Sequence, residues 1–236
     1  MGRLISLVMI LLLSMVSRAD GRPVMVFSCQ LAPTLPLFQR LDKLYQEGFA
    51  RLGYQFEMVF QPNVRSVHSA SMGHTDGTCF RVAEFAGSPT AQNLVRVDSR
   101  VAVLEFGVWI AKESMQHLDM PALLAGEYRI GYIRGAWLIE RMLAKRSNLH
   151  LNSGIETPQS GVGMLYGGRI DAYIDHNYQV EDTLSYMAKN HLRLLPSSAG
   201  FALEAVYPYV NKKHEKLVEP LRRALDDILT HPRNSD

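Results

Sequence analysis

Residues 24–60 read VMVFSCQLAPTLPLFQRLDKLYQEGFARLGYQFEMVF, and this stretch decides the fold class. The apolar run at 24–29 lies between turn-forming residues, which predicts a buried strand. Apolar side chains recur at helical spacing over 35–52, and Gly53 follows as a C-terminal stop. Residues 54–60 alternate apolar and polar side chains, as a half-buried strand does. Strand, helix and strand in this order form the unit of a parallel sheet with crossover helices.

The same alternation continues to the end of the chain. Further strands are predicted at 78–82, at 95–111 (one strand or two), and at 128–133, 169–174 and 201–210. Further helices are predicted at 63–73, 136–146, 158–166, 180–190 and 213–229. Asn63 is the expected cap of the first of these helices, and a break or restart of the last helix is expected at Pro220. The pattern predicts an α/β protein.

The composition excludes several classes of protein. The chain has 236 residues, which allow one large domain or two small ones. Its hydrophobic fraction of 47% is ordinary for a globular protein and excludes a disordered chain. Lys and Arg number 25 against 23 Asp and Glu, a net charge of +2. Such a balance argues against a nucleic-acid partner, which requires a basic excess.

The first nineteen residues have the three parts of a secretory signal peptide. Arg3 precedes an apolar run at 4–16, and the small residues Ser17 and Ala19 follow it. Cleavage is expected after Ala19, which predicts a periplasmic protein. The alternative is an uncleaved membrane anchor, for which an apolar run of roughly thirteen residues is short. No later stretch reaches spanning length, so we do not expect an integral membrane protein.

Export places both cysteines, Cys29 and Cys79, in an oxidising compartment, where a pair tends to be bridged. A bond between them requires that the fold bring the two residues together. Two buried free thiols are the alternative.

The familiar enzyme and metal motifs are missing from the sequence. There is no nucleophile elbow, phosphate loop, His-Glu-x-x-His or Cys-x-x-Cys. The glycines at 161–168 do not have the spacing of a dinucleotide fingerprint, and His68 and His74 have poor spacing for metal ligands. We therefore expect no catalytic residues, no metal and no cofactor.

A polar strand end supplies the first candidate site. Residues 168–177 read GRIDAYIDHN, an apolar strand that ends in Asp175, His176 and Asn177. Ligands of open α/β sheets bind at the carboxyl ends of strands, and an ordinary polar loop is the alternative. His176 is expected to titrate in the physiological range.

Arginines supply further candidates. Arg134 and Gly135 stand at a strand-to-helix junction, where free N–H groups favour an anion. The alternative is a surface arginine. Arg65 lies in the first turn of its helix and Arg81 inside a strand. An arginine in such a strand needs a partner, either an internal acid such as Glu84 or a bound carboxylate.

Seven segments in a fixed order carry a resemblance to a known family. They are VMVFSC (24–29), FARLGYQFEMVFQPNVRSV (49–67), HTDGTCFRV (74–82), NLVRV (93–97), YRIGYIRGAWLIERML (128–143), GGRIDAYID (167–175) and YVNKKHEKLVEPLRRALDDIL (209–229). In order and spacing they resemble the extracellular solute-binding proteins of family 3, which have the type II periplasmic binding-protein fold. The likeness is strongest to orphan members, which often lack a dedicated transporter.

The resemblance implies a two-lobed α/β fold, each lobe a mostly parallel sheet flanked by helices, with a ligand cleft between the lobes. Lobe one would comprise 20–105 plus 200–236, and lobe two 106–199. The chain would cross between lobes near 101–111 and return near 197–201. The strand that ends at Cys29 neighbours the strand with Cys79 in this fold, so the resemblance implies a disulfide.

The sequence departs from the amino-acid binders of the family. They hold the ligand's α-ammonium with a carboxylate after the Gly-Arg-Ile/Val-Asp-Ala segment. Here His176 takes that position and Asp175 comes one step early. This departure argues against an ordinary amino acid.

We therefore expect a monomeric binding protein that captures a small anionic or zwitterionic solute, for uptake or sensing with a membrane permease or sensor. The expected ligand contacts are Arg65, Arg81, Arg134 and Gly135 for an anion, Asp175 and His176 for polar or ammonium groups, and Trp109 as an apolar wall, although most aromatic residues are core by default. One alternative is an interaction protein that signals to a membrane partner. Another is a dehydratase-like enzyme with Glu84 and His176 as acid and base.

Overall fold

The computed structural model describes residues 21–116, 120–186, 193–194 and 203–231. The predicted signal peptide and the predicted return crossing at 197–201 lie outside these residues. None of the helices in the described part of the chain has the length and apolar character that a membrane crossing requires.

Strands and helices alternate along the chain. The strands are β1 (Val24–Cys29), β2 (Gln55–Phe60), β3 (Gly77–Val82), β4 (Leu94–Arg96), β5 (Ala102–Ile110), β6 (Arg129–Ile133), β7 (His150–Ile155), β8 (Ala172–His176), β9 (Arg193–Leu194) and β10 (Leu203–Asn211). The α-helices are α1 (Pro36–Arg51), α2 (Asn63–Ser71), α3 (Met120–Ala125), α4 (Trp137–Leu143), α5 (Pro158–Tyr166), α6 (Asn177–Tyr186) and α7 (Val218–Thr230). The α/β class is confirmed.

One mixed sheet runs through the molecule in the order β2-β1-β3-β10-β5-β8-β6-β7, with β4 beside β10 and β9 beside β5. The pairs β1–β2, β1–β3, β6–β7 and β6–β8 are parallel. Strand β5 divides the sheet, because residues 102–105 pair with β10 and residues 106–110 pair with β8. The sheet therefore passes from one lobe to the other along β5.

Each lobe has its own apolar core. In the first lobe α1 and α7 cover the sheet, and Phe27 meets Tyr45, Phe49 and Phe56 with ring centroids 5.4–5.6 Å apart. In the second lobe, buried side chains on both faces of β8 form separate clusters. Aromatic pairs at such distances stabilise a core beyond the burial of their area.

The disulfide between Cys29 and Cys79 is present, with the two Cα atoms 5.0 Å apart. Strands β1 and β3 are parallel neighbours with Ser28 opposite Thr78, so the next residue of each strand is a cysteine. The prediction is confirmed, and its physical basis is the register of the two strands.

Four local predictions are wrong in detail. Asn63 does not cap α2, since the cap position is Pro62 and the Asn63 side chain bonds elsewhere. Phe60 belongs to the apolar set of the alternating pattern at 54–60, but it is 50% exposed at the end of β2. The kink ahead of the last helix lies at His214, and the helix restarts at Val218, two residues before the predicted Pro220. Strand β8 begins at Ala172, three residues later than predicted.

Strand β8 begins late because the backbone N–H groups of Gly168 and Arg169 bond to the carbonyls of Leu165 and Met164 at the end of α5. Asp171, directly before β8, has several charge-assisted contacts. Its carboxylate accepts hydrogen bonds from Nε and Nη2 of Arg129 at 2.9 and 2.8 Å, and from Nζ of Lys112 at 2.6 Å. Asp171 also donates its backbone N–H to the carbonyl of Arg129. These cations hold the pKa of Asp171 well below its usual range. The carboxylate ties together the segments before β6 and β8 and after β5.

We expect Asp171→Asn to lower the free energy of unfolding by about 2 kcal/mol at pH 7, because charge-assisted hydrogen bonds are lost. A depressed carboxylate pKa contributes stability above the unfolded pKa of about 4, and this contribution is lost as the pH falls. The variant and the parent should therefore converge between about pH 4 and pH 2 in urea titrations. Asp182→Asn, at an exposed site, is the matched control; an equal loss at every pH would contradict the assignment.

Candidate ligand-binding cleft

A cavity of about 270 Å³ lies where the two lobes face each other. The first lobe contributes the end of β3, the turn after it and parts of β5 and β10. The second lobe contributes the turn before α4, the start of α5, the end of β8 and one face of α6. Ligand-binding pockets are commonly about 300–1,000 Å³, so this cavity is at the small end of the range.

Arg81 contributes a positive charge to the lining of the cavity. It lies near the end of β3 and is 8% exposed. Its Nη1 donates to Oδ1 of Asn63 at 2.7 Å, and its Nη2 donates to the Asn63 carbonyl and to Oγ of Ser66, both at 3.3 Å. Burial lowers the pKa of Arg81 to about 9, so it is still protonated at neutral pH.

The charge of Arg81 is not neutralised within the described part of the chain. Its hydrogen bonds there go to neutral groups, and its Nε is buried without a hydrogen-bond partner among the described residues. Glu84, the internal acid considered as its partner, is exposed and does not line the cavity. A buried cation without a counter-ion is costly, and an anionic ligand offsets that cost.

Asp175 lies at the end of β8 and is 3% exposed. Its Oδ2 accepts a hydrogen bond from the hydroxyl of Tyr173 at 2.6 Å, and its Oδ1 accepts one from the backbone N–H of His176 at 2.7 Å. Burial raises the pKa of Asp175 to about 7, although both hydrogen bonds oppose this shift. The carboxyl group thus titrates near neutral pH.

His176 also lines the cavity, with its ring against that of Phe106 at a centroid distance of 4.0 Å. Burial lowers the pKa of His176 to about 3, and the positive charge of Arg81 adds to the shift. The expectation that His176 titrates in the physiological range is therefore wrong. Burial moves that role to Asp175.

The two lobes contact each other beside the cavity. Nδ2 of Asn63 donates to the carbonyl of Arg134 at 3.2 Å. The rings of Phe85 and Trp137 meet edge to face with centroids 6.4 Å apart. Gly135 has a φ of 76°, and a Cβ at this position would come within 2.8 Å of Val64. Glycine is therefore required here for the lobes to approach.

Of the sequence-predicted contacts, Arg81, Gly135, Asp175 and His176 line one cavity. Three others do not, and each has a physical reason. Arg65 is on an exposed position of α2. Arg134 does not line the cavity, and its guanidinium donates to the Glu156 carboxylate and to the Ser153 carbonyl, both at 3.3 Å.

Trp109 is the third of these residues. It is 6% exposed and packs in the core of the second lobe, opposite Tyr173 in the strand register. It lies on β5 three residues beyond Phe106, which does line the cavity. Because residues 106 and 109 are an odd number of positions apart, their side chains point to opposite faces of the sheet, and Trp109 is directed into a core.

Sequence reasoning missed Phe85 and Trp137 as contacts across the cleft. Trp137 is the first residue of α4 and directly follows the turn at 134–136 that had been singled out. Its place directly after that turn was a signal from which a cleft contact could have been predicted. Phe85 carries no comparable signal, since it lies in an irregular turn after β3.

Comparison with known proteins places the fold. No family model matches the chain. An uncharacterized protein of Shewanella oneidensis is 23% identical over 192 residues, covering 78% of this chain and 69% of the relative. An ancestral arginine-binding protein bound to arginine has a TM-score of 0.71 at 14% identity, covering 89% of this chain and 94% of that one.

A histidine kinase sensor domain with similarity to periplasmic binding proteins has a TM-score of 0.70 at 13% identity, covering 89% of this chain and 92% of that domain. The chain thus has the two-lobed fold of the periplasmic binding proteins. The structures that share this fold include a binding protein and a sensor domain.

Proposed function

We propose that this protein is a periplasmic solute-binding protein, an orphan of family 3, that captures a small anionic or zwitterionic solute for uptake or sensing. The observation that carries the proposal is Arg81, a buried guanidinium that faces the cavity with no counter-ion among the described residues. The signal-peptide pattern at 1–19 supports export.

The proposed lobes are 20–105 plus 200–236 and 106–199, and the sheet supports this division. Glu105 is the last β5 residue paired with β10, and Phe106 is the first paired with β8. Rotation about the lobe crossing in β5 would close the cleft on a ligand. Closure removes water, so that hydrogen bonds from Arg81 to an anion become stronger in the lower dielectric.

The experiment is a thermal-shift screen of the chain beginning at Asp20 against organic acids, amino acids, polyamines and sugars. A ligand that binds only the folded protein stabilises it by about 2.7 kcal/mol at a hundredfold excess over Kd, and this stabilisation raises the melting temperature. We expect hits among the anionic or zwitterionic compounds. Silence of the whole library, with a folded protein shown by a cooperative melt, would overturn the proposal.

The contact between Phe85 and Trp137 favours a second candidate function, in which a membrane partner recognises the arrangement of the lobes in contact. At this contact the side chains of the protein, and not a ligand, connect the two lobes. The fold similarity to a histidine kinase sensor domain supports the same candidate.

We expect Trp137→Ala to shift the lobes toward an open arrangement by about 1 kcal/mol, the usual worth of an aromatic pair. Small-angle scattering should show a larger radius of gyration than in the parent. Trp137→Phe keeps a ring at the site and is the matched control. An unchanged radius for Trp137→Ala would mean that this contact does not hold the lobes together.

A further inference from the structure

We infer that the C-terminal turn of α2 forms a metal site for the soft monovalent ion Cu(I), with His68, Met72 and His74 as its ligands. None of the three residues lines the cleft cavity, so the site is independent of the proposed function. Three observations support it: the turn that brings the histidines together, the exposed thioether beside them, and the charges around the end of the helix.

Helix α2 ends in a Schellman motif that folds the chain back along the helix. Gly73 has a φ of 76°, its N–H bonds to the carbonyl of Ala70, and the N–H of His74 bonds to the carbonyl of Ser69. In this motif an apolar side chain of the last helical turn usually meets one from the second residue after the cap. Here both positions are histidines, His68 and His74. Their spacing of six residues argued against a metal site, but the turn brings the two rings together.

The two imidazole rings are close enough to share one ion. Their centroids are 6.5 Å apart, and their planes are inclined by 56°. Because a nitrogen–metal bond is about 2.0 Å, two imidazoles on one ion have ring centres roughly 5–6.5 Å apart. Both side chains are exposed, so each ring can rotate to direct a nitrogen at the ion. The observed separation is at the upper end of this range, which suits an ion of low coordination number.

Met72 supplies a sulfur beside the two rings. It follows His68 by four residues and donates its N–H to the His68 carbonyl, so the two side chains are neighbours on the helix, with Cβ atoms about 5–6 Å apart. It is 59% exposed, although a large apolar side chain gains from burial. Among the described residues no three His, Cys, Asp or Glu side chains are grouped as metal ligands, so the third ligand here is the thioether. Thioether sulfur is soft and selects Cu(I) over harder ions.

The charges around the turn favour a monovalent ion over a divalent one. The C-terminal end of a helix carries a partial negative charge, which stabilises a cation. Lys213 donates from Nζ to the Gly73 carbonyl at 3.0 Å, and its charge repels a divalent ion about twice as strongly as a monovalent one. The nearby carboxylate of Asp76 is already held by Lys213, His214 and the N–H of Val26. A divalent ion such as Zn(II) therefore lacks a carboxylate ligand at this turn.

The test follows the transfer of Cu(I) from its coloured complex with bicinchoninate to the chain beginning at Asp20, with ascorbate present and air excluded. We expect one equivalent of Cu(I) to leave the chelator and the methyl resonance of Met72 to shift in NMR spectra. Zn(II) should bind at least tenfold more weakly. Met72→Leu and His74→Gln should each weaken Cu(I) binding at least tenfold, since loss even of a group outside the ligand set costs about 10–100-fold.

Two matched controls and one double variant complete the test. His150→Gln, at an exposed histidine of the second lobe, and Met164→Leu, on α5, should bind Cu(I) as the parent does. His68→Leu combined with His74→Leu restores the usual apolar pair, so this variant should melt as the parent does and bind no Cu(I).

Cu(I) affinity within threefold of the parent in the double variant would overturn the inference. Tighter binding of Zn(II) than of Cu(I), or no transfer from the chelator, would also overturn it. None of these outcomes bears on solute binding, which the thermal-shift screen tests separately.

Discussion

Replacement of Arg81 by glutamine is expected to weaken the binding of an anionic ligand at least a hundredfold. Loss of one partner of a buried charge pair costs about 3–5 kcal/mol, and every 1.4 kcal/mol is about tenfold in Kd. The buried guanidinium faces the cavity and keeps its charge at neutral pH. Calorimetry with whichever anionic compound gives the largest thermal shift measures the effect.

Two further variants make the Arg81 result interpretable. Arg81→Lys keeps a positive charge but loses the planar donor geometry, and we expect an intermediate affinity. Arg40→Gln removes an exposed arginine of α1 and should leave Kd unchanged. A cooperative melt shows that each variant is folded. A Kd within threefold of the parent in Arg81→Gln would remove Arg81 from the site.

The second large expected effect is a loss of stability with rising pH that is caused by Asp175. The carboxyl group has a pKa of about 7 in the folded protein, against about 4 when unfolded. The folded state therefore binds one more proton than the unfolded state between these values. The contribution of this group to the free energy of unfolding is fully present below about pH 4 and is lost as the pH rises through 7. Linkage predicts a loss of about 3 kcal/mol between pH 5 and pH 8.

Asp175→Asn removes the titrating group, so we expect its free energy of unfolding to fall about 3 kcal/mol less than that of the parent between pH 5 and pH 8. Urea titrations at several pH values give both curves. The exposed Asp182, on the same side of the cleft, supplies the control Asp182→Asn, which should follow the parent. Parallel curves for Asp175→Asn and the parent would show that Asp175 is already ionised at pH 5.

The ligand and the pH effect are linked through the same carboxyl group. As Asp175 ionises above pH 7, the cavity gains a negative charge, which disfavours a bound anion and favours a bound cation. The expected affinity for a carboxylate therefore falls from pH 6 to pH 8. An ammonium ligand would show the opposite trend.

The local sequence pattern was sufficient to predict most of the secondary structure, because the signals for helices and strands act over a few residues. Helix α5 was predicted at 158–166 and is observed at Pro158–Tyr166, where Thr157 caps the helix and Pro158 begins it. Strand β1 was likewise predicted with its observed bounds. The start of β8 was not, because the backbone N–H groups of Gly168 and Arg169 bond to carbonyls of α5 rather than to a neighbouring strand.

The residues of the candidate site also fall into those that the sequence identified and those that it did not. Arg81 and Asp175 stood out because a charged residue in an apolar strand needs an explanation that local sequence does not supply. Arg65 and Trp109 had equally suggestive residue types, but α2 directs one outward and the strand register places the other in a core.

The sequence by itself determined the α/β class, the pairing of Cys29 with Cys79 through the family resemblance, and the strand ends where charged side chains collect. Only the tertiary structure decided which of those side chains share a cavity, that Phe85 meets Trp137, and that Asp175 rather than His176 titrates near pH 7. The physical reason is range: periodicity and turn chemistry act over a few residues, whereas burial and charge depend on groups brought together from distant parts of the chain.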